Sequence, residues 1–472
     1  MGSREVIDLQ GTHVTVAGLG VSGIPAAKVL HARGAHVTVV NDGDDARARE
    51  QAAELEALGV TVRLGDGATL PEGTDLVVTA PGWKPDKPLF TAARAAGVEI
   101  WGDVELAWRL RGPDAAPWLA ITGTNGKTTT TQMLASILKA AGLRTAAVGN
   151  IGVSVLDAVL GDEQYDVLAV ELSSYQLHWA PSVRAHSAAV LNLAPDHLDW
   201  HGSMEAYARD KGRVYEGNRV ACVYNVADKA TEDLVREADV EEGCRAIGFT
   251  LGTPGPSQLG VVEGILVDRA FVEDRHKNAQ ELAEVSDVNP PAPHNIANAL
   301  AAAALARAFG VPARAVRDGL RDFTPDAHRI AHVADVGGVA YVDDSKATNT
   351  HAAEASLAAY ESIVWIAGGL AKGATFDELV AKSAKRLRGA VLIGQDRALI
   401  REALARHAPE VPVVDLDRTD TGAMLAAVQE ASRLAVAGDT VLLAPACASM
   451  DMFANYNKRG DAFAEAVREL GS

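Results

Sequence analysis

The feature that most narrows what this chain can fold into is a glycine-bearing loop caught between a strand and a helix. The apolar run Trp118-Leu119-Ala120-Ile121-Thr122 passes directly into Gly123-Thr124-Asn125-Gly126-Lys127-Thr128-Thr129, and a helical pattern follows over 127–141. A strand feeding a helix through such a turn aims free backbone N–H groups and the positive end of the helix dipole at one point, which suits a phosphate. The Gly126-Lys127-Thr128 core fits a phosphate-binding loop, in a shorter variant with Ile121 where the usual motif has its first glycine. Loop amides would cradle phosphates, Lys127 would reach the β and γ oxygens, and the Thr128 hydroxyl would ligate magnesium.

The same alternation of β-branched apolar runs and alanine-rich helical stretches continues from end to end, the pattern of α/β domains with largely parallel sheets. At 472 residues the chain exceeds what one hydrophobic core holds, roughly 250–300 residues, so three domains in series are expected. The first βαβ unit reads as strand 13–18, helix 23–33 and strand 36–40, with short strands at 60–63 and 75–82. A Pro/Gly-bearing break at 111–118 closes it. The second unit takes strand 118–122, helix 127–141, strands 166–171 and 188–196, a surface loop at 250–260 and a helix from Asn295 to about Phe309. Strands at 339–344, 362–369, 389–394 and 440–446 supply a third sheet. The expected domains are 1–113, 114–324 and 325–472.

Hydrophobic residues at 48% and charged residues at 22% exclude a wholly disordered or collagen-like chain. Lys plus Arg number 44 against 62 Asp plus Glu, and the resulting charge of −18 argues against nucleic acid or anionic lipid as partners. Anionic small substrates remain compatible with a few placed cations. Cys222, Cys244 and Cys447 are odd in number and far apart in sequence, so neither a disulfide framework nor a CxxC metal site is supported. No segment reads as a signal peptide or membrane span, and a reducing cytoplasm is the expected address.

Two further patterns carry chemistry. Gly18-Leu19-Gly20-Val21-Ser22-Gly23 fits G-x-G-x-x-G between a strand and a helix, with Asn41 and Asp42 closing the second strand. Alone it would suit a dinucleotide dehydrogenase or a tight turn that binds nothing; it says diphosphate more strongly than nicotinamide. Glu171 ends the apolar strand before it, and His197 follows the next one. An acid at the C-terminal end of a parallel strand faces the crevice that holds ligands in open α/β sheets, so both read as magnesium or substrate groups.

Taken together, Gly123 to Thr129, Glu171-Leu172-Ser173-Ser174-Tyr175-Gln176, Asp196-His197-Leu198-Asp199, His294-Asn295 with Asn298, His328-Arg329 and Asp344-Ser345-Lys346-Ala347-Thr348-Asn349 resemble the Mur ligases of peptidoglycan synthesis. The resemblance spans about residues 12–470 in consistent order. It implies a Rossmann-like N-terminal domain, a central P-loop-type ATPase domain with a mostly parallel sheet, and a C-terminal Rossmann-like domain. It implies ATP, UDP-N-acetylmuramoyl-L-alanine and D-glutamate as partners, about two Mg2+ ions, and a monomer. Val21, Ser22, Asn41, Asp42, Gly82, Asn150, Ser173, Ser174 and Gln176 would hold the UDP-sugar. ATP would be held by Gly123 through Thr129, Asn295, Asn298, Arg329 and Asp344. Lys346, Thr348, Lys372, Ser449 and Tyr456 would take D-glutamate.

The implied reaction activates a carboxylate as an acyl phosphate, which an amine then attacks. Lys127, Glu171, His197, Lys211 and Arg329 would be catalytic, and Thr128, Glu171, His197 and a carbamylated Lys211 would face the metal. Hinge closure from an open apo form is implied. Two other readings stay open from the residues alone: a nicotinamide oxidoreductase built on the N-terminal glycine motif, and a nucleotide-binding regulator without catalysis.

Overall fold

Twenty strands form three sheets in the computed structural model, which describes residues 7–418, 420 and 422–470. The first sheet holds β1 (His13–Ala17), β2 (His36–Asn41), β3 (Thr61–Leu64), β4 (Leu76–Thr79) and β5 (Glu99–Gly102), all parallel in the order β3-β2-β1-β4-β5. Strand order reverses between β1 and β4, so a crevice opens beyond the end of β1, where the glycine motif turns into the helix Gly23–Ala32.

The second sheet comprises β6 (Trp118–Thr122), β7 (Ala147–Gly149), β8 (Leu168–Glu171), β9 (Ser187–Val190), β10 (Ala221–Asn225), β11 (Arg245–Phe249), β12 (Gln258–Val262), β13 (Ile265–Asp268) and β14 (Gln280–Glu284). Its order is β14-β13-β12-β11-β10-β9-β6-β8-β7, so β6 lies between β8 and β9. Every residue of β6, β8 and β9 is buried, as continuous apolar runs covered by helices on both faces should be. The helix Pro293–Ala308 shows why an alanine-rich run is useful here: residues 299–306 are fully buried all round, so it needs no polar stripe.

The third sheet holds β15 (Ala331–Val336), β16 (Val339–Asp343), β17 (Ile363–Gly368), β18 (Leu387–Ile393), β19 (Val413–Asp415) and β20 (Thr440–Leu443), in the order β15-β16-β20-β17-β18-β19. Only β15 runs antiparallel to its neighbour. Chain contacts group into two compact units, one of Met1–Val288 with Ile296–Phe323, the other of Asn289–Asn295 with Thr324–Ser472. Among the described residues no helix is long and apolar enough to cross a membrane.

Three details differ from the sequence reading. The strand expected over 188–196 stops at Val190, because Leu191 to Ala194 turn back to bond the glycine loop. The segment 258–284 adds antiparallel strands, joined at Glu263 and Gly264, which both take left-handed φ as a two-residue hairpin turn requires. Cys222 and Cys244, distant in sequence, bring their Sγ atoms to 3.9 Å.

The helix that follows the phosphate loop, Lys127–Ala140, is backed by Ala313–Asp322 at very close range. A Cβ added at Gly319 would lie 2.4 Å from Ile137 Cα, and Ser136 Oγ donates to Gly319 O at 2.7 Å. Gly319→Ala gains about 1 kcal/mol of helix propensity but forces two backbones apart, at a cost of about 1–3 kcal/mol. A net loss in urea unfolding is expected; unchanged or higher stability would show that the helices part freely.

Candidate active site

Strand β6 ends at Thr122 and the chain turns through Gly123 and Gly126, at φ 153° and 82°, before the helix begins at Lys127. Such angles need glycine. The loop is anchored from behind. Thr124 Oγ1 accepts from Ala194 N at 3.0 Å and lies 2.9 Å from the Tyr207 hydroxyl, while Asn192 bonds both the N–H and the C=O of Asn125. Thr128 sits part-exposed in the first helical turn, with Thr129 buried behind it. Asn298 touches the loop: a Cβ at Gly126 would meet its Oδ1 at 2.4 Å. Asn295, one turn earlier on the same helix, is buried and donates to Pro290 O.

Two lysine amines reach one backbone oxygen. Lys127 Nζ donates to Gly123 O at 3.0 Å and Thr124 O at 2.9 Å; Lys211 Nζ donates to the same Gly123 O at 2.8 Å. Lys211 projects from the helix Met204–Gly212, is 2% exposed, and lies 4.7 Å over the Tyr207 ring. Burial first, and the charge of Lys127 second, hold its ammonium well below the ordinary lysine range, against the pull of Asp196 and Glu171.

Glu171 closes β8 and is 1% exposed. Its Oε1 accepts from Asn150 Nδ2 at 2.8 Å, whereas Oε2 is buried with no hydrogen-bond partner. His197 caps the short helix Leu198–His201 in a left-handed conformation, and burial pulls its imidazole below the usual range despite Asp196. The segment is pinned by His201, whose Nδ1 bonds Asp210 Oδ2 at 3.0 Å and whose Nε2 bonds Ser174 Oγ at 2.9 Å. His178 shares that carboxylate at 2.9 Å, and Asp210 is held down at about 2 by these bonds although burial opposes them.

The expected UDP-sugar residues divide into two groups. At the first sheet, Asn41 Oδ1 accepts from Leu19 N, Asp42 pairs with Lys87, Gly82 O accepts from Trp200 Nε1, and Val21 stands 88% exposed at the tip of the glycine turn. At the second, Ser173 and Gln176 form a reciprocal capping box on Ser174–His178, Ser174 is buried against His201, and Asn150 lies on Glu171. Asp103 accepts from Val104 N at 3.0 Å, and its carboxyl is pushed up by the protein packed around it against the opposing influence of Ser22 and Gln176. Sequence reasoning missed Asp103; its signal is an acid in the first turn of the helix that follows β5.

Three loops converge at the strand ends of the third sheet. Lys346 Nζ lies 4.0 Å over the Tyr456 ring, Thr348 N bonds Lys346 O, and Ala446 N bonds Ala347 O. Leu370 and Ala448 exchange two backbone bonds of 2.9 Å, which brings the stretch holding exposed, left-handed Lys372 beside buried Ser449. Arg329 lies between His328 and Ile330, both at left-handed φ, a strained backbone held by the bond of 2.6 Å from His328 Nδ1 to Asp343. Asp344 accepts from Ser356 Oγ and feels the charge of Arg329, yet burial lifts it to about 6.

Models of three protein families fit along the chain: a "Mur ligase MurD-like, N-terminal domain" at residues 12–102, a "Mur ligase middle domain" at 121–306, and a "Mur ligase, glutamate ligase domain" at 328–447. A UDP-N-acetylmuramoylalanine--D-glutamate ligase from Streptomyces avermitilis is 88% identical over 98% of this chain and 99% of its own length. The chain belongs to the Mur ligase family. A protein of the same name from Thermobifida fusca is 60% identical over 98% and 100% of the two chains. Among solved structures, UDP-N-acetylmuramate-alanine ligase MurC from Thermotoga maritima superposes with a TM-score of 0.56 at 18% identity, covering 97% of this chain and 99% of that one, a likeness of fold.

Members of this family are ATP-dependent, so the glycine loop has a nucleotide to serve. A magnesium ion fits the edge of this Mur ligase loop on one local observation, the bare, buried Glu171 oxygen, which wants a cation. Among the described residues no three His, Cys, Asp or Glu side chains gather tightly enough to hold a metal alone. That suits magnesium, which is usually held by one or two carboxylates plus phosphates and water.

The raised Asp344 carboxyl gives a pH signature. The native state keeps its proton up to about pH 6, whereas an unfolded aspartate releases it near 3.8. Its contribution to stability is therefore full below about pH 4 and lost as pH rises through 6, to a total of about 3 kcal/mol. Asp344→Asn should gain stability relative to wild type by that order between pH 4 and 6.5 in urea unfolding. An equal difference at both pH values would contradict the buried-carboxyl account.

Proposed function

We propose that this Mur ligase joins D-glutamate to UDP-N-acetylmuramoyl-L-alanine at the expense of ATP, releasing ADP and phosphate. The observation that carries the reading is the convergence of Lys127 and Lys211 on Gly123 O of the glycine loop, with the bare oxygen of Glu171 at the end of the strand paired beside it, an arrangement for phosphoryl transfer. The acceptor and amine follow from the activity for which relatives up to 88% identical over nearly the whole chain are named. A dehydrogenase reading leaves the Gly126-Lys127-Thr128 loop without a purpose.

Residues 1–113 would take the UDP end, with Val21, Ser22, Asn41, Asp42 and Gly82 at the nucleotide and Asn150, Ser173, Ser174 and Gln176 toward the muramoyl-alanine end. Residues 114–324 would bind ATP through Gly123 to Thr129, Asn295 and Asn298, with Arg329 and Asp344 contributed by 325–472. Lys346, Thr348, Lys372, Ser449 and Tyr456 would receive D-glutamate. The free thiols of Cys222, Cys244 and Cys447 suit a reducing cytoplasm, where a monomer would act.

A carboxylate must approach a triphosphate, so negative charge has to be offset locally. Lys127 orients and neutralises the terminal phosphate. Thr128, Glu171, His197 and Lys211 would hold magnesium, which when bound supplies charge neutralisation at the phosphates. The γ-phosphoryl passes to the L-alanyl carboxylate; the D-glutamate amine attacks the acyl phosphate, and phosphate leaves. Burial, with the charge of Lys127 behind it, favours the neutral, nucleophilic form of the Lys211 amine; that form would add to CO2, releasing a proton and leaving a carbamate anion where an ammonium would repel Lys127.

Phosphate release from ATP with the muramoyl-alanine nucleotide should depend on D-glutamate and fail with L-glutamate; NADH oxidation, or ATP binding without turnover, would replace this reading. Lys211→Ala should lose most activity, on the order of a hundredfold, and recover part of it with added short carboxylates. Full activity in that variant would remove the carbamate.

A further inference from the structure

The helix Tyr456–Leu470 buries an arginine that none of the roles above uses. Arg459 is 1% exposed, and its guanidinium is spent on neutral oxygens: Nε donates to Ser345 Oγ at 3.0 Å, Nη2 to Ser345 O at 2.8 Å, and Nη1 to Cys447 O at 3.0 Å. Asp343 and Asp451 support its charge through space, and although burial pulls it down to about 10, it stays protonated at neutral pH. Burying a guanidinium is expensive, and bonds to neutral carbonyls repay it less fully than a carboxylate would. The fork therefore has to do something a neutral residue could not.

What it does is join two loops. Ser345 immediately precedes Lys346 on the loop after β16, and Cys447 stands two residues before Ser449 on the loop after β20. The Ser345 hydroxyl closes the ring by donating to Tyr456 O at 2.7 Å, so the first residue of the arginine's own helix is tied in, and the Tyr456 ring lies under Lys346 Nζ at 4.0 Å. Gly460 leaves room for this: a Cβ there would meet His328 Nδ1 at 2.1 Å. One planar group thus sets the spacing between the loop of Lys346, the loop of Ser449 and the ring of Tyr456.

We propose that Arg459 is the positioning residue of the amino-acid pocket: by bridging Ser345 to Cys447 it holds Lys346 and Ser449 at the separation that the two carboxylates of the incoming amino acid require. The inference rests on the D-glutamate reading given above. A lysine keeps the charge but has a single ammonium on a flexible stem and cannot hold three oxygens in one plane.

Steady-state kinetics of Arg459→Lys, with each substrate varied in turn, tests this. The KM for D-glutamate should rise at least tenfold while those for ATP and the muramoyl-alanine nucleotide stay within twofold. Ser345→Ala, which leaves the guanidinium in place, should raise the same KM about threefold, and the double variant should be no worse than Arg459→Lys alone, since both act through one bridge. A lowered melting temperature with an unchanged D-glutamate KM, or equal rises in all three KM values, would make Arg459 a packing residue and overturn the proposal. If Arg459→Lys does not fold, Ser345→Ala decides by the same criterion. A wild-type enzyme inactive with D-glutamate would instead sink the assignment of substrate.

Discussion

Two lysine amines hydrogen-bonded to the Gly123 carbonyl set the terms for this molecule. Both lie within 3.0 Å of that oxygen, so they are no more than about 6 Å apart. Two unit charges at that distance repel by about 3 kcal/mol at an effective dielectric of about 20. Lys127 is part-exposed at a helix start, whereas Lys211 is sealed in, so it is the second amine that holds its proton less tightly than an ordinary lysine. The repulsion between the two amines therefore falls on Lys211, where the charges of Asp196 and Glu171 only partly offset it. An acidic protein that must gather a triphosphate and carboxylates needs local positive charge it can adjust, and the amine of Lys211 is the adjustable part.

Both compact units build their sites in the same way. Parallel strands end together, the loops that leave them cannot satisfy their own polar groups, and a side chain from another segment ties them down. At the glycine loop the ties are Asn192 and Tyr207, reaching Asn125 and Thr124. Around His197 they are His201 and Asp210. At the third sheet Arg459 serves the loops of Ser345 and Cys447. Tyr207, His201, Asp210 and Arg459 reach these loops from helices, whereas Asn192 reaches the glycine loop from irregular backbone just past a strand end.

The three sheets and the phosphate loop were legible in the sequence because each is a local pattern: a buried strand reads as an unbroken apolar run, and a glycine turn reads by its spacing. The place of Glu171 at the end of a buried strand was legible; His197, expected to follow its strand directly, instead stands seven residues beyond Val190, at the start of the helix Leu198–His201. The anchors were not. Asn192 lies in what reads as a continuing strand, and only the structure shows Leu191 onward leaving the sheet to meet the loop. Arg459 and Asp210 sit in helices whose pattern gives no warning that a charged residue is turned inward, since each owes its burial to partners from distant segments. Asp103 is similar: the polar groups that influence its carboxyl include Ser22 and Gln176, 81 residues before it and 73 after it. The nearness of Cys222 and Cys244 follows from strand order, which spacing does not encode.

The claim beneath all of this is that the Lys211 ammonium is held well below the ordinary lysine range because it is buried against a carbonyl it shares with Lys127. NMR titration of 13Cε-labelled lysine in CO2-free buffer, with the resonance assigned through Lys211→Arg, measures that state directly. The account predicts one lysine that titrates well below the ordinary lysine range and whose titration moves upward when Lys127 is replaced by methionine. A Lys211 resonance that stays protonated to the ordinary lysine range near 10.4, and does not respond to Lys127, would contradict it.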